Sequence, residues 1–321
     1  MISLIWPMRL WEKLAQMTNS GYHIPVLFKA SIDGLQIAKD DVVVDVTFGG
    51  GGHSREILNR LGDDGVLMAF DQDTDAVANV IDDERLVFVN ANFRFLSNFI
   101  KYYELETADA ILADLGVSSH QFDTGGRGFS IREEGRLDMR MNQDARLTAY
   151  QVVNNYPEKE LYRIFNSFAD IKSVPRLVRD IVVRRKESPI ESTKDLVDLL
   201  KDIVKGNKQT QYLAQVFQAI RIEVNDEMGA LMDLLEQSAK ILEDGGRLVV
   251  ISYHSIEDRL VKNFIRSGNF TGVLEKDDVY GVVKKPLTAV NRKPIIPTAE
   301  EIAMNPRARS AKMRIAIKEA E

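Results

Sequence analysis

Cysteine is absent from all 321 residues. No disulfide, zinc–thiolate centre or thiol nucleophile can operate, and the absence suits a reducing compartment such as the cytoplasm. Also missing is any apolar run near the roughly 20 residues that span a bilayer, so no membrane partner is expected. The only histidines are His23, His53, His120 and His254, and none stands in a His-Glu-x-x-His or comparable spacing. No metal is expected on that ground. A Gly-Lys-Ser/Thr phosphate loop is lacking, which removes the Walker class of nucleotide binders. Internal repeats and low-complexity tracts are absent too.

What is present is an ordinary globular composition, 45% hydrophobic and 28% charged, long enough for one large domain with an insertion or for two domains. Residues 1–16 hold both tryptophans, Trp6 and Trp11, with Pro7, Arg9, Glu12 and Lys13 interrupting the apolar core that a signal peptide needs. A further methionine, Met17, follows, so residues 1–16 are expected to be an appendage or a mis-called start, with a short amphipathic helix as the competing reading. The net charge of −6 is uneven. From Lys284 to Arg314, eight Lys or Arg face two Glu, giving +6 there and −12 over the rest. A second basic cluster, Arg127, Arg132, Arg136, Arg140 and Arg146, is interleaved with Glu133, Glu134, Asp138 and Asp144. Taken alone, such clusters are more often solvated faces than binding sites.

Four apolar runs, Val42–Val46, Gly65–Asp71, Leu86–Asn90 and Ala110–Asp114, alternate with helical patterns. Strands this continuous in apolar residues, with helices between them, predict a parallel sheet covered on both faces. The alternation stops over 125–225. There Glu158–Phe168, Val174–Lys186, Ser192–Val204 and Tyr212–Glu223 carry apolar residues at helical spacing. After a helix near Asp226–Leu242, strand character resumes at Gly246–Ser252 and again at Met313–Ile317. The expected architecture is a discontinuous α/β domain, 17–124 and 226–321, with a helical domain, 125–225, inserted after the fourth strand.

In such sheets ligands bind beyond the carboxyl ends of the strands, and Asp45, Asp71, Asp114 and His254 all lie there. The first strand runs into Asp45-Val46-Thr47-Phe48-Gly49-Gly50-Gly51-Gly52-His53, where glycines let a ligand approach the backbone. A dinucleotide site would aim the next helix at a pyrophosphate. Instead Asp45 enters the turn, and a carboxylate there suits the cationic amino-acid end of a ligand. Asp71 can accept hydrogen bonds from two ribose hydroxyls. Acids at both places favour S-adenosyl-L-methionine over NAD. The loop Asp114-Leu115-Gly116-Val117-Ser118-Ser119 would face the transferred methyl group, with Asp114 as candidate acceptor of an amine proton. Asp138, His254 and water are alternative acceptors. His254 is equally a capped strand end, and Asp138 equally an ion-pair partner of its neighbouring arginines.

Together these strings resemble the MraW/RsmH family of bacterial 16S ribosomal RNA (cytosine-N4)-methyltransferases. The likeness runs from His23 to Lys318. It rests on His23-Ile24-Pro25-Val26-Leu27, the glycine turn, Asp114–Ser119, Arg127-Gly128-Phe129-Ser130 and Leu137-Asp138-Met139-Arg140-Met141. It continues through Phe217–Asn225, Gly245–Leu248, His254–Arg259 and Asn305–Ser310. The resemblance implies a class I (Rossmann-like) methyltransferase fold with an inserted all-helical domain. It also implies methylation of a cytosine N4 in the decoding centre, at the P site of 16S rRNA. The family's cofactor contacts fall on positions matching Gly51, Gly52, His53, Asp71, Phe93, Asp114 and Gln121, with Phe93 as a flat partner for adenine. His120 stands where the family has proline, which would loosen the loop before Gln121, and Asn142 stands where it has aspartate. Under this resemblance Arg127, Arg132, Arg136 and Arg140, with Arg292, Lys293, Arg307 and Arg309, are expected to line an RNA-facing groove. The expected partner is 16S rRNA within a small-subunit particle, and a homodimer is one assembly open to the chain. Competing readings are a methyltransferase of a non-RNA amine and a non-catalytic RNA-binding assembly factor that retains the fold.

Overall fold

The computed structural model of the protein describes residues 25–275 and 285–319. The expected appendage 1–16 and His23 lie outside them. Seven strands form one sheet: β1 Val42–Asp45, β2 Val66–Phe70, β3 Leu86–Val89, β4 Ala108–Asp114, β5 Leu242–Ser252, β6 Thr288–Ala289 and β7 Lys312–Ile317. Their order is β3-β2-β1-β4-β5-β7-β6. The first five run parallel, while β7 runs antiparallel between β5 and β6.

The apolar runs form this sheet because both its faces are covered. Successive residues point to opposite faces, so Val43, Leu67, Leu112 and Val249 enter one core while Val44, Met68, Ile111 and Val250 enter the other. All are essentially inaccessible to water, and each such burial stabilises the fold by about 1.5–3 kcal/mol. The helices α1 Phe28–Leu35 and α2 Gly52–Arg60 cover the first face through Ile32, Leu35, Ile57 and Leu58. On the second face lies α3 Leu96–Tyr102, which contributes Leu96 and Ile100.

After β4 come α4 Ser119–Asp123, α5 Ala149–Asn155, α6 Glu158–Phe168, α7 Val174–Glu187, α8 Thr193–Lys201 and α9 Gln209–Asn225. Local chemistry sets their starts. Thr148 and Gln151 cap α5 reciprocally, Ser192 and Asp195 cap α8, and Pro157 precedes α6. Leu161, Ile164 and Phe165 of α6 meet Leu177, Val178 and Ile181 of α7 and Val216, Phe217 and Ile220 of α9 in an apolar cluster separate from the sheet's. The chain returns at Asp226, whose left-handed backbone (φ 47°) turns α9 into α10 Glu227–Ile241. Arg94, after β3, grips that corner through Asp226 (2.9 Å) and Asp233 (2.8 Å). The helix α11 Ser255–Ser267 follows β5 and joins α10 over the second face, and α12 Ala299–Met304 precedes β7.

Several bounds differ from expectation. β5 begins at Leu242 rather than Gly246, and α9 extends from Gln209 to Asn225. The two-residue β6 is too short to leave a sequence pattern. Among the described residues no helix is long and apolar enough to cross a membrane.

Candidate active site

Strand order reverses between β1 and β4, so the crevice beyond their carboxyl ends is where this topology offers a ligand site. Its floor is the glycine turn. Gly49 and Gly51 hold left-handed backbone (φ 52° and 71°), and Gly51 caps α2. A Cβ on Gly52 would stand 2.6 Å from Pro25 Cγ, and one on Gly51 would stand 3.0 Å from Phe48 Cζ. No side chain larger than hydrogen fits at either position without a shift.

Asp45 holds this turn from beneath. Its carboxylate is fully buried and accepts from Ser54 Oγ (2.7 Å) and from Thr47 N (3.1 Å). Burial pushes its pKa up, and the Ser54 and Thr47 bonds only partly offset this. The expected contact between Asp45 and a ligand's cationic end is thus corrected: its side chain lies wholly inside the turn, with no surface open to a ligand. Thr47, which sequence reasoning missed, links the first strand to the fourth. Its hydroxyl accepts from Asp114 N at 2.7 Å. The Asp-x-Thr spacing after the strand was the available signal.

Asp71, at the end of β2, accepts from Gly49 N (2.8 Å) and Asp73 N (2.9 Å). Burial raises its pKa to about 6, with the Asp73 and Asp45 charges adding to the effect against those two bonds. Phe93 lies half-buried beyond β3, lining a narrow crevice with Thr47, Gln72, Leu115, Gly116 and Met141. His53 is buried beside the Phe28 ring, and burial lowers its pKa to about 4, so it is neutral at pH 7. Its Nδ1 lies 4.0 Å from Asp114 Oδ2.

Asp114 ends β4 with one fifth of its side chain exposed. The surrounding protein removes most of its hydration and raises its pKa to about 7; the Asp45 and Glu257 charges push the same way. Against them, Tyr253 donates its hydroxyl to Asp114 Oδ1 at 2.8 Å. Tyr253 was not singled out in sequence, because a tyrosine after an apolar strand reads as packing. Its own hydroxyl pKa is raised by burial and then by the Asp114 charge, so it acts as a donor.

The other two candidate proton acceptors are committed elsewhere. Asp138 receives Nε (2.8 Å) and Nη2 (2.7 Å) of Arg140. Burial would raise its pKa, but the Arg140 bonds bring it below the usual carboxylate value, leaving a weak base. His254 caps α11 in a reciprocal box with Glu257. Its Nε2 is enclosed 3.1 Å from Glu257 Oε1, without the alignment of a hydrogen bond. Glu257 is itself buried, and Glu227, doubly bonded by Arg221 (2.7 and 2.9 Å), completes a charge cluster at the wall of the crevice.

Gln121 is buried and caps α4 in a reciprocal box with Ser118, while its amide donates to Asp73 Oδ2 at 2.7 Å. The turn carrying His120 is therefore held rather than loosened, and the His120 ring lies 3.2 Å from Asp75. Asp73 is a second hub that sequence reasoning missed. It pairs with Arg127 at 2.9 Å, and Arg127 also reaches Asp75 (2.6 Å) and the carbonyls of Arg140 and Met141. Burial acts to raise the Asp73 pKa, but Arg127 and Gln121 bring it below normal.

Arg127 is therefore buried, not a member of an RNA-facing groove, because its donors are used inside the protein. Arg140 is likewise committed to Asp138 and to the carbonyls of Gln143 and Ala145. Arg132, Arg136, Arg292, Lys293, Arg307 and Arg309 are exposed. Arg307 lies over the Phe122 ring and pairs with Asp123 at 2.6 Å, which brings the C-terminal basic segment to α4.

Comparison with known proteins identifies the family. The family model described as the MraW methylase family matches residues 20–319. The chain is 54% identical over 297 residues to a protein named ribosomal RNA small subunit methyltransferase H from Christiangramia forsetii, covering 92% of this chain and 98% of that relative. A protein of the same name from Parabacteroides distasonis is 52% identical over 301 residues, covering 94% and 98%. A third, from Flavobacterium johnsoniae, is 52% identical over 301 residues, covering 94% and 99%. With this kinship, the strand order and the glycine turn, the chain belongs to the MraW methylase family, as an S-adenosylmethionine-dependent methyltransferase of Rossmann-like fold.

Proposed function

We propose that this protein methylates N4 of a cytosine in the decoding centre of 16S rRNA, at the P site, with a small-subunit particle as substrate. The relatives' names support small-subunit rRNA as the target class. The observation that carries the chemistry is Asp114: a carboxyl at the switch point whose pKa, raised to about 7 mainly by burial, suits proton transfer near neutrality.

S-adenosylmethionine supplies the activated methyl group. The glycine turn, closed to any Cβ at Gly51 and Gly52, is suited to hold its amino-acid end, with His53 beside it. Asp71 has lone pairs left for the ribose hydroxyls, and Phe93 offers an apolar face for adenine. Gln121 acts through Asp73, fixing the loop that carries Asp114. The exocyclic amine of cytosine is a poor nucleophile, since its lone pair is delocalised into the ring. Asp114 accepts an N–H from it, favours the pyramidal nitrogen and takes the proton as the N–C bond forms and the S–C bond breaks. Tyr253 and Thr47 hold Asp114 in place, and alignment of amine, methyl and sulfur accounts for most of the acceleration.

The same reading assigns 17–124 and 226–321 to the methyltransferase domain and 125–225 to an inserted substrate-side domain. The separate apolar cluster of that segment supports the division. Arg132, Arg136, Arg292, Lys293, Arg307 and Arg309 remain as phosphate contacts, and the setting is the cytoplasm. Tritiated methyl groups from the donor are expected to appear in 16S rRNA of undermethylated small-subunit particles. Label confined to soluble protein, or no label, would overturn this function.

A further inference from the structure

A cavity of about 290 Å³ opens on the far side of Tyr253. It lies between the end of β5, at Tyr253–Ser255, and the segment from Ile296 to Lys312. Its size falls near the lower end of small-molecule sites, about 300–1,000 Å³. Its apolar lining includes Tyr253, Pro297 and Ile302. The rim carries Arg309 and Lys312. Among the described residues no carboxylate lines it, so it is suited to an anion and not to the cationic donor. Arg309 is exposed, with no ion pair among the described residues, while Lys312 touches Asp258 at 3.5 Å, an acid that Arg314 holds more closely at 2.7 Å. Both cations are therefore available to a ligand. The cavity is one side chain away from the chemistry, because the tyrosine that forms its wall also holds Asp114.

We propose that this cavity receives one nucleotide of the substrate RNA, with its base against Tyr253, Pro297 and Ile302 and its phosphate between Arg309 and Lys312. The assignment rests on the RNA-methyltransferase reading above and adds a specific subsite to it. Tyr253 then has two roles. Its hydroxyl positions Asp114 and its ring supports a base, so strand engagement and the proton acceptor share one side chain. An aromatic residue beside cationic side chains is the combination by which single strands are held through stacking and backbone charge.

The test uses the full chain and small-subunit particles from cells that lack this protein. Ile302→Trp fills the cavity without changing charge, and Arg309→Gln removes a phosphate contact. Both are expected to raise KM for particles about ten-fold, the scale of one lost base or phosphate contact. The calorimetric Kd for S-adenosylmethionine should stay unchanged. Arg309→Gln should also flatten the dependence of log KM on log salt by about 0.7, while Ile302→Trp should leave that slope alone. Particle KM values equal to wild type would overturn the subsite, as would an effect that falls on S-adenosylmethionine affinity. If Ile302→Trp fails to fold, the exposed Arg309→Gln together with Lys312→Gln decides the matter. Wild type that labels no rRNA would remove the function and this subsite together. Wild type that labels rRNA beside unaffected variants removes the subsite, and Arg309 as a phosphate contact, while the function stands.

Discussion

Tyr253→Phe removes one oxygen atom and tests whether Asp114 works as the acceptor. The tyrosine hydroxyl donates to Asp114 Oδ1 at 2.8 Å, and this bond is the one influence lowering a pKa that burial, Asp45 and Glu257 raise to about 7. A hydrogen bond to a charged acceptor is worth about 1.5–3 kcal/mol. Water entering the partly open crevice would recover some of that, leaving about 1.4 kcal/mol, or roughly one pKa unit. The ionised fraction of Asp114 at pH 7 would then fall from about one half to about one tenth. Single-turnover methyl transfer in the variant should therefore be about five-fold slower at pH 7 and nearly normal at pH 9, its acidic limb moved up by roughly one unit. The assay is the pH profile of tritium transfer to undermethylated particles. A loss that is equal at every pH, with an unmoved limb, would refute the reasoning and leave Tyr253 as packing.

Asp114→Asn should abolish transfer yet stabilise the protein at pH 8. The folded pKa lies above the ordinary 3.8, so Asp114 costs nothing below both values and its penalty grows as pH rises from about 4 to about 7. Thermal unfolding should show a gain on the order of 4 kcal/mol at pH 8 that fades toward pH 4; a variant less stable at pH 8 would contradict this. Arg127→Ala leaves the buried Asp73 unpaired and should cost about 3–5 kcal/mol, read as a lower denaturation midpoint, whereas a phosphate contact would leave the midpoint alone. Gly52→Ala forces a Cβ to within 2.6 Å of Pro25 and should weaken donor binding by at least about ten-fold in calorimetry, since the turn must shift; unchanged affinity would show that the turn tolerates it.

Much of the sheet was legible because its strands are buried on both faces. Val42–Val46 and Ala110–Asp114 read as apolar runs, and the acids at their ends, Asp45 and Asp114, marked the crevice. The helices around Leu161, Leu177 and Phe217 were legible from spacing alone. Partnership was not legible. Arg127 looked like any arginine in a basic cluster, since its partner Asp73 lies 54 residues earlier and only the fold brings them together. Asp45 and Asp71 look alike at strand ends, yet Ser54 and Thr47 turn the first inward while the second stays at the crevice. Asp138 carries its partner two residues on, and the sequence could not tell that bidentate pair from a free base. Tyr253 meets Asp114 across 139 positions, a contact that depends on β5 lying beside β4.

The central claim concerns what receives the methyl group, and mass spectrometry of 16S rRNA tests it most directly. Cells lacking this protein should lose N4-methylcytosine at a single decoding-centre position. Wild type should restore it and Asp114→Ala should not. An unchanged N4-methylcytosine signal in the deletion strain would contradict the account.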